Sequence, residues 1–267
     1  MARGLALAVA LITLVTVGIF ATHVWWFPED ISAHGPALDR QFTETFIGTG
    51  ILFVLAQLGL AFFVWKYRDR GDARKARVLP GGAKWTVVTA FLFVGIEVMV
   101  LGMVGQRVWA SLYLAGAEPG ALQIQVQGEQ FAFYFRYPGP DGKFGPVHPE
   151  KVDEANENYY GLDREGDADS KDDIVTARLA IPVHRPIELI LRAKDVGHSF
   201  YVPELRVQQD LVPGMEIPIH FTATKTGRYE IVCTQLCGLG HYNMRAFLEV
   251  MPEEAFQKWL REQSSAQ

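Results

Sequence analysis

The sequence predicts transmembrane α-helices followed by an all-β Greek key barrel. Two observations carry this. All long apolar runs end before residue 110, and from Ala121 onward hydrophobic residues alternate with polar ones instead. Composition agrees: 49% of the 267 residues are hydrophobic and mean hydropathy is +0.08, too apolar for an ordinary soluble chain and too polar for one embedded throughout. A net charge of -5 and a pI near 5.8 offer no basic surface for phosphate backbones, which excludes nucleic acid as a partner.

The apolar runs are Leu5 to Phe27, Thr45 to Trp65 and Trp85 to Trp109, each near the roughly 20 residues that cross a bilayer. Between the second and third lie Lys66, Arg68, Arg70, Arg74, Lys75, Arg77 and Lys84 against Asp69 and Asp72. By the positive-inside rule this loop is cytoplasmic. Everything after residue 110 is then expected on the periplasmic or outer side of a bacterial-type cytoplasmic membrane. The first run, residues 1–28, has two readings. Arg3 followed at once by apolar residues fits a cleaved signal segment. Its length, the lack of a small-x-small site and the aromatic Trp25, Trp26 and Phe27 favour a retained helix. Residues 42–110 form the predicted helical hairpin. Glu97 falls near its mid-bilayer level, where an ionised side chain costs about 2.5–3.5 kcal/mol. Both a helix-packing hydrogen bond and a part in proton uptake fit it.

The soluble part, 118–251, opens with Leu122, Ile124 and Val126 alternating with Gln123, Gln125 and Gln127. Further strands are predicted at Phe131 to Tyr137, Thr176 to Ile181, Ile187 to Arg192, Glu216 to Phe221, Arg228 to Val232 and Arg245 to Val250, with Pro- and Gly-rich turns between. Pro138 to Asp173 is dense in acid and reads as a long surface insertion, either simply solvated or attractive to a basic partner. The end, 252–267, carries a short amphipathic helix with Phe256 and Leu260 on one side.

Chemistry concentrates in Cys233-Thr-Gln-Leu-Cys237-Gly-Leu-Gly-His241-Tyr-Asn-Met244, which contains both cysteines of the chain. Two thiols, an imidazole and a thioether suit copper, because thiolate and thioether favour Cu(I) while imidazole serves either oxidation state. His198, in Lys194-Asp195-Val196-Gly197-His198-Ser199-Phe200, is the upstream candidate, placed in a loop before Tyr201-Val202. Other readings stay open at this point. The spacing would line a helix face, but Gly238 and Gly240 oppose a helix. A disulfide is plausible in an oxidising compartment. Zinc lacks its usual tight pairs. No C-x-x-C-H motif for heme attachment occurs.

From the second membrane helix to Val250 these residues resemble subunit II of cytochrome c oxidases. The matching pattern is D-V-x-H-S-F at Asp195 to Phe200, V-P-x-L at Val202 to Leu205, D-x-x-P-G at Asp210 to Gly214, and the Cys233 to Met244 run. The resemblance implies a cupredoxin-like barrel and two copper ions, the copper A centre. Cys233 and Cys237 would bridge them, His198 and His241 would be terminal ligands, Met244 would cap one copper and the Gln235 carbonyl the other. It also implies electron transfer from cytochrome c, or a cytochrome domain of a partner complex, to the heme-copper catalytic subunit I among other oxidase subunits, in a lipid membrane.

Three residues depart from the family pattern. Gln235 replaces a Glu whose carboxylate commonly reaches magnesium, which puts the magnesium site in doubt. Where electrons enter, the family has Trp-x-Trp and this chain has Phe131-Ala132-Phe133, and Phe is harder to oxidise and has no N–H. Gly82 stands where the family often has a proton-related Glu. A copper A subunit of a heme-copper nitric oxide reductase and a membrane-tethered mononuclear copper module are the alternatives. A quinol oxidase subunit would have lost the ligands.

Overall fold

The computed structural model describes residues 1–23, 26–71 and 84–266. Trp25, the cluster Arg74, Lys75 and Arg77, and Gly82 lie outside the described residues. The chain divides into two compact units, one of residues 1–27 with 37–109 and one of 28–36 with 110–267.

The first unit is helical: α1 is Ala2–Ala21, α2 Gly35–Lys66 and α3 Lys84–Tyr113. All three are long and apolar enough to cross a membrane. α2 starts ten residues before the apolar run at Thr45, since the helix continues through polar Asp39, Arg40 and Gln41 once its backbone is nucleated. Phe20 and Trp26 pack near Phe46, and Phe27 near Phe42.

The second unit holds ten strands in two five-stranded sheets. β1 (Leu122–Glu129), β2 (Ala132–Tyr137), β3 (Ile174–Thr176), β5 (Pro186–Ala193) and β8 (Ile217–Thr222) make one, in the order β3-β2-β1-β5-β8. The other is β4-β10-β9-β6-β7, with β4 Leu179–Pro182, β6 His198–Val202, β7 Val207–Leu211, β9 Gly227–Val232 and β10 Arg245–Met251. Most neighbours are antiparallel, while β1–β5 and β4–β10 are parallel. Alternation decides the buried face: Ile187, Leu189 and Leu191 of β5 and Ala246, Leu248 and Val250 of β10 all enter the core. Each of the Ile, Leu and Val side chains contributes about 1.5–3 kcal/mol when fully buried. The closing helix follows, with Phe256 and Trp259 packed around Tyr137.

Several expectations need correction. Thr176 to Ile181 is two strands, β3 pairing with β2 and β4 with β10, so the chain changes sheets at Ala177 and Arg178. His198 opens a strand instead of sitting in a loop, and β7 was not expected. The acidic insertion is not all surface: Tyr160 and Leu162 are buried, and a fully buried Arg136–Asp173 ion pair fastens its end to β2. Beyond those expectations, Pro28–Pro36 belongs with the sheets. Ile31 sits in the core, its N–H donating to the Glu204 carbonyl at 3.0 Å and its carbonyl accepting from Thr224 N–H at 2.7 Å.

Candidate metal centre

β9 and β10 are antiparallel neighbours, and residues 233–244 join them. The Cys233 N–H donates to the Met244 carbonyl at 3.2 Å, which pinches the loop at its base. Inside it the Cys233 and Cys237 sulfurs stand 4.0 Å apart as free thiols. Cys237 Sγ lies 3.6 Å from His241 Nδ1 and 3.7 Å from Met244 Sδ, and Cys233 Sγ lies 3.2 Å from the Gln235 carbonyl oxygen. Only a short 3₁₀ turn at His241–Asn243 is helical here, so the residues gather by loop folding and not along a helix face.

β6 runs beside β9 through the Tyr201–Val232 pair, which brings His198 to the same place. One His198 ring nitrogen and both sulfurs lie within 4.8 Å of one another. The ring fits because Gly128 is opposite: a Cβ there would approach it to 3.1 Å. His198 Nε2 donates to Asp195 Oδ1 at 2.8 Å, whereas Nδ1 is buried and has no hydrogen-bond partner among the described residues. A buried imidazole nitrogen without a partner, next to two thiols and a thioether, is a soft donor set that fits copper. The carboxylate on the other nitrogen fixes the ring in the arrangement usual for metal-bound histidine.

Burial alone would raise the Asp195 carboxyl, but hydrogen bonds from His198, the Gln130 N–H and the Val196 N–H outweigh it and hold the group below the usual carboxylate range. Burial, reinforced by Cys233, pushes the Cys237 thiol up to about 11. A coordinated metal reverses that preference, because it deprotonates the thiol outright.

All six residues singled out as ligands therefore meet. Of the aromatic pair, Phe131 is at the surface and lies over Gly240, where a Cβ would come within 2.5 Å of its ring. Phe133 is buried and stacks edge-on with Phe200. Glu97 has different company, lining a cavity of about 310 Å³ between α2 and α3 with Gln41 and Glu44. Asp195, Gln130 and Gly128 have no role assigned from sequence, and Gly240 only that of opposing a helix. For Asp195 the signal was available, three residues before His198 in the motif.

Residues 158–251 match the family model described as cytochrome c oxidase subunit II, periplasmic domain. The alternative cytochrome c oxidase subunit 2 of Bradyrhizobium diazoefficiens is 33% identical over 268 residues, covering 97% of this chain and 93% of that protein. Cytochrome c oxidase subunit 2 of Thermostichus vulcanus is 29% identical, covering 95% and 85% respectively. The crystal structure of the periplasmic domain of a cytochrome oxidase subunit II from Bradyrhizobium japonicum is 25% identical, covers 57% of this chain and 97% of that one, and superposes with a TM-score of 0.41. With near-complete mutual coverage at one-third identity, the chain belongs to the cytochrome c oxidase subunit II family and is a subunit of an oxidoreductase complex.

Proposed function

We propose that this chain accepts electrons from a cytochrome c, or a cytochrome domain of a partner complex, and passes them through two coppers to the heme-copper catalytic subunit that reduces oxygen. Cys233 and Cys237 through their sulfurs, His198 and His241 through Nδ1, Met244 through Sδ and Gln235 through its carbonyl oxygen would hold the two coppers. A copper pair held this way supplies one-electron transfer with little change in geometry. The protein's part is to hold that geometry. Asp195 orients His198, the bond from Cys233 to Met244 closes the loop, and the sheets exclude water from the sulfurs. Phe131 is the surface side chain where electrons enter, with Phe133 behind it in the core. No magnesium is included, because Gln235 offers no carboxylate. The barrel lies on the periplasmic or outer side, as the charges around Arg68 and Arg70 favour.

The observation that carries this reading is His198 Nδ1, buried and without a hydrogen-bond partner among the described residues, beside two free thiols. Its test is a copper count and an electron spin resonance spectrum of the full chain purified in detergent and loaded with copper. Two coppers per chain sharing one unpaired electron, and oxidation of added reduced cytochrome c, are expected. One labile copper would establish the mononuclear module instead. Assaying the whole complex for oxygen and nitric oxide consumption separates the two terminal acceptors.

A further inference from the structure

The candidate ligands arrive on two separate pieces of chain, His198 on β6 and the others on the 233–244 loop. Gln130, at the turn from β1 to β2, touches the supports of both. Its backbone N–H donates to Asp195 Oδ2 at 2.8 Å, and the other oxygen of that carboxylate holds His198. Its side-chain Nε2 donates to the Cys237 carbonyl oxygen. The loop is shaped to admit it. Gly238 has φ +132°, and a Cβ there would lie 2.7 Å from Gln130 Nε2. Gly240 is the corresponding gap for the ring of Phe131. Two consecutive residues thus seat in a notch made by two glycines, one of them in a backbone conformation that L side chains rarely adopt.

We infer that Gln130 is a positioning residue that fastens the loop-borne ligands to the strand-borne one. The inference rests on the two-copper reading only for its spectroscopic consequence. Without the amide donor, the Cys237 carbonyl has no bond to the β1–β2 turn, and the loop opens more often.

The test compares the full-length wild type in detergent with Gln130→Met, which keeps the length and loses the donor, and Gln130→Lys, which keeps a donor of similar reach. Before copper loading, thiol labelling of the cysteines is expected to run roughly fivefold faster in Q130M, the population ratio that goes with one lost neutral hydrogen bond. In Q130K it returns toward the wild-type rate. After loading, Q130M is expected to show an altered copper hyperfine pattern and a shifted midpoint potential, with unchanged far-ultraviolet circular dichroism. Wild-type labelling and an unchanged spectrum in Q130M would overturn the inference. So would a Q130K that labels as fast as Q130M. Should Q130M not accumulate, Gln130→Glu, which turns the donor into an acceptor, is compared with Q130K in its place. A wild type without a two-copper spectrum would instead bring down the metal reading, and the labelling rates would still decide whether Gln130 holds the loop.

Discussion

His198 and the cluster from Cys233 to Met244 reach one site by opposite means. His198 stands at the start of a strand paired with β7, wholly buried, its ring wedged against Gly128 and tied to Asp195. The other candidate ligands stand on an irregular loop whose outer residues Leu236, Leu239 and Tyr242 are 80%, 97% and 90% exposed. The strand candidate is positioned by the fold itself. The loop ligands are positioned by a few tethers: the bond at the loop base, Gln130, and the seat of Phe131 on Gly240. A centre built this way combines one rigid wall with one adjustable wall. Its geometry is most easily disturbed from the loop side.

The sharpest test of that contrast is Cys237→Ser. It removes the sulfur nearest to Cys233, His241 and Met244, and copper is expected to fall below two per chain with loss of the shared-electron spectrum, read by elemental analysis and spin resonance. On the strand side, Asp195→Asn keeps an acceptor for His198 but removes the charge, and copper affinity is expected to drop about 10- to 100-fold in a competition titration. Gly240→Ala drives a Cβ into the Phe131 ring and is expected to cost about 1–3 kcal/mol in chemical unfolding. Adding Phe131→Ala to the same chain should recover most of it. If the double variant is no better than the single, the seat is not a tether.

The smallest effect concerns Lys194, which holds Glu129 and Glu154 at 2.7 and 2.6 Å. Burial opposes its charge, but the two carboxylates outweigh that and raise the ammonium above its ordinary 10.5. A raised value in the folded chain means this contribution is complete below the unfolded value and is lost as pH climbs through the folded one. Lys194→Met should therefore cost about 1 kcal/mol or less near neutrality. It should also lack the alkaline loss of stability expected of the wild type above pH 10.5, read by chemical unfolding across pH.

The candidate ligands could be picked out in the sequence because cysteine, histidine and methionine are scarce and here stand close together. Strands such as β5 and β10 were legible because one face is buried and the other wet. β6 and β7 were not. His198 and Ser199 are polar yet fully buried, and Val207-Gln-Gln-Asp-Leu211 offers only its two ends to the core. The insertion misled through its charge density, which hides that Asp173 is paired with Arg136 inside the protein. Gln130 and the two glycines became visible only in three dimensions, since they lie over a hundred residues apart along the chain.

The burial of Ile31 bears on how the protein is made and trimmed. Its side chain precedes α2 and α3 in the chain, while the backbone groups that hold it, at Glu204 and Thr224, follow only after both helices and most of the strands. Ile31 thus finds its backbone partners only once the chain through β8 has been made. A protease acting on the N-terminal region can cut as far as Pro28 and spare the core. Cutting beyond Ile31 would leave an isoleucine-sized hole, a loss of roughly 2–5 kcal/mol by the measure of buried Ile-to-Ala replacements.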